Sequence, residues 1–172
     1  MTGAISQMQM LYIPEEDRIL FRVNSVDRQE FRFWITRRYA ILMFRVLKEH
    51  WDSDPDISVQ ATPEAKEALR NFKQEQATSG ADFSKEFADQ PAEMPLGEEA
   101  KLAFKLTYNI QGQNMLLGIE PQTGKGISMT INRSINSSLT QLLRAAVSKA
   151  EWRLDEQMAG DLVTLAANRV IN

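Results

Sequence analysis

Apolar and polar residues alternate over three short stretches, the spacing then becomes helical, and the chain does this twice. In residues 8–13, 18–24 and 30–35 one parity is apolar, as a strand with one buried face requires. Residues 101–110, 114–120 and 126–131 repeat the alternation. Residues 8–39 and 104–135 align without a gap at an offset of 96. Nine inward positions then pair apolar with apolar: Met8/Phe104, Met10/Leu106, Tyr12/Tyr108, Ile19/Met115, Phe21/Leu117, Val23/Ile119, Phe31/Ile127, Phe33/Met129 and Ile35/Ile131. Four of the 32 aligned pairs are identical, too few to establish a gene duplication.

Each strand triplet leads into a helix. Thr36 is the expected N-cap of a helix to about residue 51, whose stretch 40–44 is apolar all round and so needs cover on more than one side. A second capped helix starts at Asn132 or Ser134 and runs to about residue 152, with Ile135, Leu139, Leu142, Leu143, Ala146 and Val147 at helical spacing. Between the units, Asp54-Pro55 stops the first helix, and residues 63–77 predict an amphipathic helix with Ala65, Leu69 and Phe72 on one face. Residues 78–99 lack periodicity and carry Gly80, Pro91, Pro95 and Gly97, which predicts a mobile linker. A last helix is expected over 156–171, weakened at Gly160.

The chain therefore reads as one α+β domain over 1–172, with antiparallel sheet or sheets packed against helices. Its parts are a βββα unit at 8–52, a helical insert and acidic linker at 53–99, a second βββα unit at 100–152 and the terminal helix. Both strands of the second hairpin put apolar residues at odd positions, so their registers match only at an even sum, which predicts a three-residue loop within 26–29.

Composition narrows the setting. A chain of 172 residues, 43% hydrophobic, can bury one core. With no cysteine, it has no disulfide, thiolate nucleophile or cysteine-bound zinc, which suits a reducing cytoplasm. The longest strongly apolar run, 39–44, is far too short to span a bilayer, and residues 1–10 lack the pattern of a leader. The net charge of −3 is unevenly spread: residues 55–99 hold ten acids and four bases, and 100–172 hold five and eight. That balance argues against non-specific nucleic-acid binding without excluding a local basic patch.

Several motifs resolve into ordinary structure. Asp52-Ser53-Asp54-Pro55-Asp56 opens like a calcium loop but has Ile57 where glycine must turn and Pro63 where a bidentate glutamate is required. Gly124-Lys125-Gly126 lacks the hydroxyl residue of a phosphate loop and reads as a hairpin turn. His50, the single histidine, sits in a last helical turn, where partial positive charge is favoured. Glu15/Glu16 and Glu98/Glu99 lie in a turn and the linker, where nothing encloses them to raise a pKa. No metal or cofactor is expected.

Two arginine groups ask for a reason. The outward face of the second and third strands shows Arg18, Leu20, Arg22 and Asn24, then Glu30, Arg32 and Trp34. Arg22, Arg32 and Trp34 could stack an unpaired base and neutralise phosphate. Arg22 stands opposite Trp34 if the register puts Val26 against Glu30. The alternative is that the insert helix covers Trp34 and Leu20, with Arg22 and Arg32 paired to its acids. Arg37, followed by Arg38, aligns with Arg133 at the first turn of both repeat helices, an unfavourable end for a cation. An anion site would explain that placement, and so would pairing with Asp or Glu from a neighbouring loop.

The run Asp17-Arg18-Ile19-Leu20-Phe21-Arg22, followed by Glu30-Phe31-Arg32-Phe33-Trp34-Ile35-Thr36-Arg37-Arg38, resembles the opening of a group of small proteobacterial proteins and implies no activity. In plan alone, two sheet-then-helix repeats are similar to Pur-type and Whirly-type single-strand-binding proteins, whose repeats have four strands rather than three. That similarity is of fold, not of site. The expected function is a non-catalytic binding or adaptor protein whose ligand is a protein partner, including a second copy, with single-stranded nucleic acid as the alternative. An enzyme acting through carboxylates and arginines ranks third, and no membrane partner is expected.

Overall fold

The computed structural model describes residues 4–89, 91–154 and 170–171. Three strands, β1 (Ile5–Ile13), β2 (Arg18–Ser25) and β3 (Glu30–Ile35), lead into α1 (Arg37–Asp52). The insert holds a single turn, α2 (Pro55–Ser58), and α3 (Pro63–Thr78). A two-residue β4 (Lys101–Leu102) precedes β5 (Lys105–Gln111), β6 (Asn114–Glu120) and β7 (Ile127–Ile131), which lead into α4 (Arg133–Ala150). The expected terminal helix falls outside the described residues, except that Val170–Ile171 form a short strand, β8, antiparallel to β5.

The α+β architecture follows the alternation. Sheet 1 has the order β1-β2-β3-β4 and sheet 2 the order β7-β6-β5-β8. Each is antiparallel, apart from the parallel β3–β4 pair. Ile19, Phe21, Val23, Phe31, Phe33 and Ile35 point inward from sheet 1, and Met115, Leu117, Ile119, Ile127, Met129 and Ile131 from sheet 2. They join α1 and α4 residues in one buried cluster. Both helices start where the side-chain chemistry predicts: Thr36 accepts from the Tyr39 N–H at 3.2 Å, and Asn132 from the Ile135 N–H at 2.8 Å. The all-apolar stretch of α1 gets cover on several sides, because α1 packs on α4 and reaches β5 while α4 packs on β1 and β2.

The ungapped alignment fails in the first strand of each unit. A four-residue turn, 14–17, joins β1 to β2, whereas Gly112-Gln113 alone joins β5 to β6. Met10 therefore pairs with Phe21, but Tyr108, rather than Leu106, pairs with Leu117. The true counterpart of Met8 is Leu106, and Phe104, expected inside, is 42% exposed. A shift of two residues preserves the alternation, so the pattern cannot detect it. The second hairpin closes as predicted: residues 26–28 form a three-residue loop between Ser25 and Gln29, with Arg28 left-handed at φ 59°.

Helix α3 also corrects an expectation. Phe72 is exposed, and the half-buried face runs through Ala65, Leu69, Lys73 and Ala77. Lys73 reaches Asp54 at 2.7 Å and Asp56 at 2.6 Å, and Arg70 binds Asp52. The acidic loop is thus an ionic clamp on α3. Among the described residues, no group of three or more acids, histidines or cysteines could hold a metal, and no helix is long and apolar enough to cross a membrane.

Candidate functional site

The outer face of sheet 1 carries the predicted ligand residues in three cross-strand rows. Gln7, Asn24 and Glu30 form the first, Gln9, Arg22 and Arg32 the second, and Leu11, Leu20, Trp34 and Leu102 the third. Asn24, not Val26, stands against Glu30. Arg22 therefore lies opposite Arg32, and Trp34 opposite Leu20. The sequence fixes the parity of these residues, and the three-residue loop selects their register.

The two polar rows are occupied from within. Glu30 is fully buried: Arg22 Nε donates to its Oε1 at 2.8 Å, Arg22 Nη2 to its Oε2 at 3.2 Å, and Arg32 Nε to its Oε1 at 2.6 Å. Burial alone would raise the Glu30 carboxyl, but the two guanidinium groups outweigh it and hold it below the usual carboxylate range. Arg22 also donates to Gln9 Oε1 at 3.2 Å.

Residues 83–89 and 91–98, within the segment 78–99 expected as a mobile linker, lie over these rows as a strap. Asp89 pairs with Arg22 Nη2 at 2.7 Å, and the Arg22 guanidinium sits 4.3 Å from the centre of the Phe87 ring. Asn24 Nδ2 donates to the Ala88 carbonyl at 3.2 Å, the Glu30 N–H to the Glu93 carbonyl at 3.0 Å, and Arg32 Nη1 to the Glu98 carbonyl at 3.2 Å. The expected cover of Trp34 and Leu20 by the insert helix is not found: the strap lies over the arginines instead, Arg22 pairs with Asp89 and Glu30, Arg32 pairs with Glu30, and Trp34 and Leu20 stay half-buried.

The third row differs. It takes one apolar side chain from each strand of the sheet. Leu11 is 39% and Leu102 44% exposed, with Leu20 and Trp34 half-buried between them. Arg18 lies over the Trp34 ring, 5.7 Å from its centre. Leu11 and Leu102 were missed by sequence reasoning. Leu11 had the outward parity of β1 and could have been found by it. Leu102 lay in the stretch 101–110 expected as one strand, which the structure divides between β4 in sheet 1 and β5 in sheet 2.

The aligned helix arginines are not brought together. Arg133 is directed at the C-terminal end of α1: Nη1 donates to the His50 carbonyl, Nη2 to Ser53 Oγ at 3.3 Å, and its guanidinium lies 5.2 Å from the centre of the Trp51 ring. Burial lowers its pKa. A cation at a helix C-terminus stabilises the orphan carbonyls there, so Arg133 has a structural reason unrelated to its own helix. Arg37 and Arg38 are exposed and have no partner among the described residues.

His50, in that same last turn, carries no charge to favour. It is fully buried, its Nδ1 accepts from Asn136 Nδ2 at 2.9 Å, and its Nε2–H donates to the Gln113 carbonyl at 3.1 Å. Burial first, and the Arg133 charge second, lower its pKa to about 4. Asn136 also donates to the Leu47 carbonyl at 3.0 Å and accepts from Thr140 at 3.2 Å. This buried polar network joins α1 to α4. Gly124-Lys125-Gly126 lies in the β6–β7 connection: Gly124 has φ 91°, and a Cβ on Gly126 would lie 2.2 Å from the Ile119 carbonyl oxygen. Compared with protein-family models, curated proteins and solved structures, the chain finds no match.

Proposed function

We propose that the chain is a non-catalytic binding protein that docks a protein partner on the apolar row Leu11–Leu20–Trp34–Leu102. The observation that carries this reading is the row itself, with one apolar side chain from each of four adjacent strands and both ends open to solvent. Apolar side chains gathered in register on a sheet face suit an interface core, and a tryptophan at the centre of such a patch is a common energetic anchor. Arg18, paired with Glu16 at 3.2 Å, lies over Trp34 and supplies a cation beside it. The enzyme reading loses ground because the buried carboxylate, Glu30, is held ionised and enclosed by two arginines beneath the strap.

Trp34→Glu and Leu102→Lys should each remove a captured protein that wild type and an exposed control variant, Val59→Lys, both retain, as read by quantitative mass spectrometry. With that partner purified, Trp34→Ala should weaken binding by about 2 kcal/mol or more with little salt response. Identical capture by all four proteins would overturn the reading. The nucleic-acid alternative rests on Trp34, Arg18 and the exposed Arg37 and Arg38. It predicts low-salt binding of oligodeoxythymidine that falls steeply with added salt, with Trp34→Ala costing about 1–3 kcal/mol.

A further inference from the structure

The strap grips the polar rows with two kinds of contact. Gln7 reads its backbone in both directions, donating from Nε2 to the Glu86 carbonyl at 3.2 Å and accepting at Oε1 from the Ala88 N–H at 3.0 Å. Asn24 Nδ2 adds the bond to the Ala88 carbonyl. Contacts of this kind hold an extended segment of any sequence. Selectivity comes from Phe87, whose ring faces the Arg22 guanidinium, and from Asp89, whose carboxylate meets Nη2. Glu30 holds Arg22 through both Nε and Nη2, so the guanidinium is already oriented to receive a ring and an anion.

The fit is incomplete. Asn24 Oδ1 is buried and has no hydrogen-bond donor among the described residues, an acceptor that a better-matched backbone N–H would satisfy. A tethered segment competes at an effective concentration on the order of millimolar, so even a loose internal occupant keeps the site closed.

We propose that this half of the face is a recognition site for an extended peptide segment with an aromatic residue two positions before a carboxylate, and that residues 86–89 are its internal occupant, displaced when a partner presents the same motif. The site does not rest on the apolar row. It occupies different cross-strand rows, and Leu102→Lys should leave it unchanged.

The probe is a fluorescent synthetic peptide copying residues 82–92, read by anisotropy. The double variant Phe87→Ala/Asp89→Asn should bind it saturably and about tenfold or more tighter than wild type does. A peptide with the same two replacements should bind neither protein. In wild type, excess unlabelled peptide should accelerate tryptic cleavage after Lys85, and the doubly replaced peptide should not. The proposal is overturned by equal affinity for the two proteins, by affinity that survives loss of both peptide side chains, or by an absence of both binding and accelerated cleavage. Displacement of the strap by oligodeoxythymidine but not by the peptide would overturn it in favour of a nucleic-acid ligand.

Discussion

The two βββα units agree on their inner faces and part company on their outer ones. Inside, β2, β3, β6 and β7 keep the same register at the 96-residue offset, and apolar residue meets apolar residue at each equivalent point. Outside, Gly118 stands where the first unit has Arg22, Ser128 where it has Arg32, and Thr130 where it has Trp34. Among its described residues, this face of sheet 2 thus presents mostly polar groups, with the Lys105–Glu120 ion pair, around the exposed Leu116. A shared core constrains one parity of a strand and leaves the other free. The first unit has used that freedom for a guanidinium pair, a strap and an apolar row.

The strongest way to break the comparison is to empty equivalent core sites. Phe21→Ala and Leu117→Ala should each destabilise the fold by about 2–5 kcal/mol in urea denaturation, because both side chains are buried in the same cluster. If one proves nearly neutral, the units are not equivalent inside.

The helix interface offers an asymmetry of almost the same size. His50 and Asn136 correspond to Ala146 and Ala40 at the 96-residue offset, so only one half of the pseudo-symmetric contact is polar. His50 is harder to protonate in the fold, at about 4, than in the unfolded chain, at 6.5. Between those values the unfolded chain binds more protons. Stability should therefore be full above about pH 6.5 and fall by about 3 kcal/mol as the pH drops towards 4. Urea midpoints at pH 7 and 4.5 measure the effect, and a His50→Gln variant should lose most of it. An unchanged pH dependence in that variant would assign the loss to the carboxylates instead.

Smaller effects sharpen the picture. Lys73→Ala should cost about 0.5–1 kcal/mol and less at high salt, because its two acidic partners are partly solvated. Leu11→Ser and Leu116→Ser should each change stability by about 0.5 kcal/mol or less, being exposed in both units. Only Leu11→Ser should also reduce capture of the docking partner.

Much of this was legible in the sequence, and the limits have physical causes. Alternation located the strands, and Thr36 and Asn132 announced the helix starts, because period and capping are local properties. The two-residue slip of β5 was invisible, since alternation is unchanged by an even shift. The strap read as a linker because aperiodic chain carries no signal, yet carbonyls, one ring and one carboxylate suffice to hold it. Arg133 read as an anion ligand or as the ion-pair partner of a neighbouring loop, because nothing local shows that the end of α1 arrives beside it. Trp34 was rightly placed outward, but its neighbours depended on a register that the loop set and on Leu102, which joins from 68 residues away.

The chain crosses from sheet 1 to sheet 2 at Ala103, whose N–H donates to the Trp34 carbonyl just before Phe104 bonds to the Glu120 carbonyl. Beyond that crossing, α4 returns to cover β1, and Trp152 reaches back 135 positions to Asp17. During synthesis, then, the first unit emerges with its inner face waiting for a helix not yet made. Neither half can complete itself early, and contacts so distant along the chain close slowly, on the order of milliseconds to seconds. The interlock that unites the two units makes them assemble as one late event, with the apolar faces of β1–β3 dependent until then on dilution or a chaperone for protection.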